Sequence, residues 1–168
     1  MEKYNVAILG ASGVVGSRIR SILEERNFPV KNIKFLSSAK SAGKEVEFMG
    51  KTYKFEEAKP ESFDGVDIVL ASAGASTSKH FVDEIVKRGA VLVDNTSAFR
   101  MDKDVPLVIA GVNDEDLKQH HGVIANPNCS TSQLMLVLKP LHDYAKIKRL
   151  IVSTYQSVSG AGKAAIDE

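Results

Sequence analysis

"VAILGASGVVGSRI", Val6 to Ile19, decides how the rest of the chain is read. Four aliphatic residues, Val6 to Leu9, run without alternation into a turn carrying Gly10, Gly13 and Gly16, and a helical pattern opens at Val14. Such a run reads as a short strand. After such a strand one glycine permits a tight turn and another lets backbone approach a pyrophosphate. The amides that open the next helix then face negative charge. The spacing GxxGxxG is a variant of the dinucleotide fingerprint, so strand, turn and helix in this order predict a nucleotide site.

Working outward, short β-branched or aliphatic runs recur: "IKFL" at 33–36, "DIVLAS" at 67–72, "VLVD" at 91–94 and "GVIAN" at 122–126. Between them lie apolar positions at helical spacing, Val14, Ile19, Ile22 and Leu23 in one stretch and Phe81, Val82, Ile85 and Val86 in the next. Gly89 marks the end of the second. Alternation of this kind predicts an α/β, doubly wound Rossmann-type sheet. "KEVEFMGKTYKFE" at 44–56 reads as an antiparallel two-stranded insert turning at Gly50.

The 168 residues are 43% hydrophobic, and 22 Lys and Arg face 21 Asp and Glu, a net charge of +1. That length suits one domain or one domain plus part of another. No basic block points to nucleic acid, so a small molecule is the expected partner. One cysteine cannot close an internal disulfide, and the N-terminal apolar run is too short for a signal peptide or a membrane span. A soluble, cytoplasmic protein is expected, and no metal site.

The second strand's end suggests which nucleotide. An NAD site carries an acid there, about 20 residues beyond the glycines, for the ribose 2′-hydroxyl. This chain has "FLSSAKSAGK", with Ser37, Ser38, Lys40 and Ser41 and no carboxylate until Glu45. Hydroxyls and a cation suit a 2′-phosphate, so NADP is expected. "ASAGAS" at 71–76 follows the next strand, and Gly74 would let backbone approach the same nucleotide.

The single cysteine stands in "IANPNCSTSQLMLVL", 124–138, where a polar turn meets a helical stretch. If Asn128 or Ser130 caps that helix, Cys129 lies at its first turn, where free amides and the dipole favour a thiolate. Inert packing is the usual fate of a lone cysteine. The Asn, Ser and Thr flanks favour the nucleophile here. Beside a nucleotide site, its chemistry is hydride exchange with a thioester or thiohemiacetal.

"GASGVVG", "SSAKSAGK", "SAFRMDKDVPLVI", "NPNCSTSQ" and "YQSVSGAG" together resemble the amino-terminal half of the aspartate-semialdehyde dehydrogenase family. The resemblance implies NADPH-dependent reductive dephosphorylation of L-aspartyl 4-phosphate to L-aspartate 4-semialdehyde, in lysine, threonine, methionine and diaminopimelate synthesis, by a homo-oligomer. It gives Cys129 the role of nucleophile and acyl carrier, and Gln156 that of positioning the acyl group. Arg100 binds phosphate, with Asn95 assisting. Ser12, Gly13, Val14 and Val15 match the pyrophosphate turn, Lys40 and Ser41 the 2′-phosphate contacts, and Ser159 and Gly160 a second cofactor contact. Where Lys40 stands the family more often has arginine, and "IAGVN" at 109–113 departs from the proline and glutamate of many members.

Family members run to about twice this length, and the resemblance puts the acid–base histidine and the arginine for the substrate carboxylate in the other half. His80, His120, His121 and His142 match neither and read as surface or loop residues. The expected organisation is a Rossmann domain over 1–128, then the start of a catalytic and dimerisation domain over 129–168. That second part should show Pro140 kinking the helix, Leu134, Leu138 and Leu141 on an exposed face, and a strand within "KIKRLIVSTYQSV". The chain stops soon after a last helix begins at "KAAIDE", which suggests a piece of a longer protein, inactive by itself. Two alternatives are a nucleotide-binding module without catalysis and an N-acetyl-gamma-glutamyl-phosphate reductase-like enzyme.

Overall fold

The computed structural model describes residues 2–158 and 166. Its seven-stranded sheet runs in the order β3-β4-β2-β1-β5-β6-β7. The parallel strands are β1 (Tyr4–Leu9), β2 (Val30–Ser37), β5 (Ile68–Ala71), β6 (Val91–Asp94) and β7 (Val123–Ala125), and β4 (Lys51–Glu57) joins β2 in the same sense. At the edge β3 (Glu45–Phe48) pairs antiparallel with β4 around Met49 and Gly50, as the insert predicts. Because the chain winds outward from β1 first through β2 and then through β5, the strand order reverses beside β1. Open α/β sheets bind ligands at such a crevice.

Val6, Ala7, Ile8 and Leu9 are all buried, with alternate residues feeding two cores. Val6 and Ile8 join Leu23 of α1 (Val14–Glu25), Phe35 and Phe48 on one face. Ala7 and Leu9 join Phe63, Val69, Leu92 and the residues Phe81 and Ile85 of α2 (Ala75–Lys87) on the other. α2 ends as expected, with Gly89 N–H donating to Val86 O. Arg88 ties that end to Glu84 and Asp64, and its hydrogen bond holds the Glu84 carboxyl below the usual carboxylate range. In α1 the apolar spacing is only partly a core face: Leu23 is buried, but Val14 is 50% exposed where the helix opens at the sheet's carboxyl edge.

After β7, α3 (Cys129–Ala145) continues through Pro140 without ending and buries no residue. Leu136, Val137, Leu141 and Tyr144 are exposed, whereas Leu134 and Leu138 are half-buried, which corrects the expected Leu134/Leu138/Leu141 stripe. The reason is the following segment: Ile147 and Leu150 lie beside Leu138, and Val152 to Tyr155 beside Leu134. The strand expected there is absent, since residues 146–157 have no regular structure. A strand needs an edge to pair with, and among the described residues this segment meets a helix instead.

Two glycines fix α1 against the sheet. Gly10 has φ +91, and a Cβ on it would stand 2.8 Å from the backbone of Ala73. A Cβ on Gly16 would stand 2.2 Å from the carbonyl oxygen of Gly10, a backbone atom that cannot swing aside. Gly16→Ala should therefore cost about 2–3 kcal/mol or more in urea unfolding. Gly43→Ala, with a positive φ but open space around it, should cost only about 1–2 kcal/mol. Equal midpoints for the two variants would contradict the packing argument.

Candidate functional site

A cleft of about 430 Å³ opens at the carboxyl ends of β1, β2, β4 and β5. Of the residues expected at a cofactor, Gly10, Ser12, Gly13 and Ser38 line it together. Val14 and Val15 begin α1, are exposed and do not line it, Val15 lining a separate cavity with Asn95 and Asn126, and Lys40 and Ser41 belong to the turn after β2 and do not line it either. Nor does Gly74 line it. Gly74 turns the backbone at φ +95 and a Cβ there would meet no protein atom within 4 Å, whereas one on Gly10 would meet the backbone of Ala73. Ser159 and Gly160 lie outside the described residues.

The cleft also contains residues that the sequence reading missed: Glu57, Ser72, Thr77 and Phe81. The Ser72 hydroxyl oxygen is buried and has no partner among the described residues. At the mouth, α1 starts from Gly13 with no side chain capping its first amides. A bare helix start, an orphaned hydroxyl and a glycine turn with no room for a Cβ fit the phosphates and hydroxyls of a dinucleotide.

The second constellation hangs on the ends of β6 and β7. Arg100 Nε donates to Asn126 O at 2.9 Å and Nη2 to Asn95 O at 3.1 Å, so the guanidinium is pinned to both strand ends and is not a free surface charge. Asn95 N–H donates to Ala71 O, and Asn126 N–H to Asp94 O. Beneath them Asp94 is completely buried. Its carboxylate accepts from the Ser78 hydroxyl at 3.0 Å, from Thr96 N–H at 3.0 Å and from the Thr96 hydroxyl at 2.7 Å. Ser78 belongs to α2 beside the cleft residue Thr77, so one buried carboxylate braces the dinucleotide cleft and the Arg100 loop together. The "IAGVN" turn is held by Asn113, which accepts from Ile109 N–H and donates to Leu107 O.

Cys129 is the exposed first residue of α3. Asn128 is the cap: its Oδ1 accepts from Ser130 N–H at 3.0 Å and from the Ser130 hydroxyl at 2.7 Å, with the Cys129 thiol donating at 3.6 Å. No acid stands in the helix's first turn, so its partial positive charge meets the sulfur unopposed. Gln156 is exposed and follows Tyr155, which shares a cavity with Ser130, Thr131 and Gln133 at the start of α3. His80, His121 and His142 are exposed, and His120 Nδ1 accepts from Gly122 N–H. Among the described residues no His, Cys, Asp and Glu group has the makings of a metal site, and no helix is long and apolar enough to cross a membrane.

Comparison with known proteins agrees with this fold. Residues 5–120 match the family model described as "Semialdehyde dehydrogenase, NAD binding domain", and residues 138–168 the one described as "Semialdehyde dehydrogenase, dimerisation domain". The aspartate-semialdehyde dehydrogenase of Bacillus subtilis is 51% identical over 164 residues, 98% of this chain and 47% of that protein. A crystal structure of aspartate semialdehyde dehydrogenase II from Vibrio cholerae complexed with ASA superposes with a TM-score of 0.95 at 44% identity, covering 99% of this chain and 50% of that one. The Candida albicans enzyme with NADP gives 0.65 at 25% identity, over 87% of this chain and 48% of that one. The chain thus spans about half the length of the curated relatives it matches.

Asp94→Ala leaves the buried Ser78 hydroxyl and the Thr96 groups without their acceptor, so it should cost about 2–4 kcal/mol in thermal or urea unfolding. Asp94→Asn keeps an acceptor for Ser78 and should cost less than half of that. Equal losses in the two variants would mean that the hydrogen bonds are not what Asp94 supplies.

Proposed function

The chain belongs to the semialdehyde dehydrogenase family, and from that premise we propose that the whole protein is an aspartate-semialdehyde dehydrogenase. It converts L-aspartyl 4-phosphate to L-aspartate 4-semialdehyde and phosphate, using NADPH. The observation that carries this reading is the pairing of an exposed cysteine at a capped helix start with a guanidinium pinned three residues upstream, on the carbonyl of Asn126.

In this reading the Cys129 sulfur, having lost its proton, attacks the acyl carbon. The bond from that carbon to the phosphate oxygen breaks, phosphate leaves with the electron pair, and the acyl group remains on sulfur as a thioester. Before its proton leaves, the thiol donates to the same Asn128 oxygen that caps the helix, and that contact holds the sulfur at the start of α3. Arg100 holds the phosphate with Asn95 beside it, since a planar guanidinium forks onto two phosphate oxygens. Gln156 orients the acyl group. NADPH, when bound in the cleft, supplies the hydride that reduces the thioester carbonyl.

Gly10, Ser12, Gly13, Val14 and Val15 face the pyrophosphate, Gly74 shapes the neighbouring turn, and Ser38, Lys40 and Ser41 stand on the ribose side. Ser159 and Gly160 complete the cofactor contacts. None of the four histidines lines the cleft, so the proton that departs or arrives at the carbonyl oxygen is handled elsewhere in the whole protein, and this chain alone does not turn over. Residues 1–128 form the dinucleotide domain, and residues 129–168 begin a catalytic and dimerisation domain of a cytoplasmic homodimer. The product feeds lysine, threonine, methionine and diaminopimelate synthesis.

The test is phosphate-dependent oxidation of aspartate semialdehyde by the full-length protein, followed as NADPH formation. Cys129→Ala should lower kcat by roughly a thousandfold or more, because it removes the sulfur that carries the acyl group in this reading. Arg100→Ala should raise the KM for phosphate about tenfold or more, with a smaller change in that for aspartate semialdehyde. Turnover that survives Cys129→Ala would end the proposal.

A further inference from the structure

We propose that Asp94 is a positioning residue for the phosphate step: acting through the Thr96 hydroxyl, its buried carboxylate aims the Arg100 guanidinium at phosphate. The inference rests on the reading that Arg100 holds phosphate. Its origin is a buried acid that no ion pair explains. Asp94 is fully buried at the end of β6, and its side-chain partners among the described residues are two hydroxyls and one amide, with no cation. Burying an acid in this way is costly. It supplies one thing that a neutral amide does not, two oxygens that only accept.

That property fixes the direction of a hydrogen-bond chain. Thr96 Oγ1 donates to Asp94 Oδ2 at 2.7 Å, which leaves its lone pairs for Ala98 N–H at 3.1 Å. Thr96 N–H donates to Asp94 Oδ1 at 3.0 Å, so Thr96 is gripped by main chain and side chain at once. Asn95, between the two, is fixed by that grip, and the Asn95 carbonyl accepts from Arg100 Nη2. Phe99 anchors the same loop in the core, with Ala98 packed alongside. The guanidinium's other anchor also depends on Asp94: its main-chain carbonyl accepts from Asn126 N–H at 2.9 Å, and Asn126 O is the acceptor for Arg100 Nε. One residue thus places both carbonyls that pin the guanidinium. Nη1 donates to no protein group among the described residues and is available to an oxyanion.

Substitutions separate aim from stability. In Asp94→Asn the amide oxygen can still accept from Ser78 and from Thr96 N–H, but the amide nitrogen faces the Thr96 hydroxyl as a donor. That hydroxyl already accepts from Ala98, so its own proton loses its acceptor and the loop must shift. Thr96→Val keeps the shape without the hydroxyl, and Thr96→Ser keeps the hydroxyl.

The experiment is phosphate-dependent oxidation of aspartate semialdehyde by the full-length protein, with KM measured separately for phosphate, aspartate semialdehyde and NADP, beside melting curves. Asp94→Asn and Thr96→Val should each raise the KM for phosphate about fivefold or more while the other two move less than about twofold. Thr96→Ser should stay within about twofold of the unaltered protein in all three. A merely structural role would lower the melting temperature and move the three KM values together or not at all. That result, or a Thr96→Ser variant as impaired as Thr96→Val, overturns the positioning role while leaving Arg100 its phosphate. If Thr96→Val does not fold, Asp94→Asn and Thr96→Ser decide between the same outcomes. A KM for phosphate unchanged in Arg100→Ala overturns the reading beneath the inference, and the inference with it.

Discussion

The contact between the α carbon of Gly16 and the carbonyl of Gly10 is the constraint on which the cleft depends. Helix α1 can open directly over the end of β1 only because no side chain stands between them. A Cβ 2.2 Å from a carbonyl oxygen would push the helix off the strand. Once α1 is seated, Ser12 and Gly13 are carried to the crevice where the strand order reverses, and no side chain caps the helix that opens there. Gly10, packed on the backbone of Ala73, sets the β5 side of the same crevice. Close packing of backbone on backbone makes the floor of the cleft stiff, and the polar residues around its rim are placed by that floor.

A second constraint is the buried carboxylate of Asp94. It stands at the end of β6 with all its contacts inside the protein, and they reach in two directions: to Ser78 on α2, next to the dinucleotide cleft, and to Thr96 at the root of the loop that carries Arg100. From Arg100 the connection runs through the Asn126 carbonyl to the strand end that leads into Asn128 and Cys129. Cleft, guanidinium and thiol thus share one hydrogen-bonded frame at the carboxyl edge of the sheet. A group that must meet a substrate within a few tenths of an ångström is better held by such strand ends than by a free loop.

Beyond Cys129 the chain's character changes. Helix α3 buries no residue, presents Leu136, Val137, Leu141 and Tyr144 to solvent, and is accompanied by a segment without regular structure. An apolar surface of that kind marks a place where more protein belongs. This agrees with a chain that spans about half of its curated relatives, and with the match of residues 138–168 to a dimerisation domain.

Much of the fold was legible in order along the chain. The aliphatic run at Val6, the glycine spacing after it, the strand-like stretches at 33–36, 67–72, 91–94 and 122–126 and the hairpin at Gly50 are all local patterns, and local patterns determine which element forms. A cap on Asn128 or Ser130, with Cys129 at the first turn of α3, was legible for the same reason, since capping acts within three residues, and the structure chooses Asn128. The expected strand within "KIKRLIVSTYQSV" failed because a strand is completed by an edge, which no local pattern supplies. Glu57 and Asp94 were invisible as site residues for a related reason. Glu57 reaches the cleft through a pairing twenty residues away in sequence, Ser37 against Glu57, and Asp94 matters because Ser78 and Thr96 converge on it. Sequence alone determined the elements that local patterns complete and the chemistry that each could offer. Tertiary structure decided which offers meet, because register and burial arise only when distant segments pack against one another.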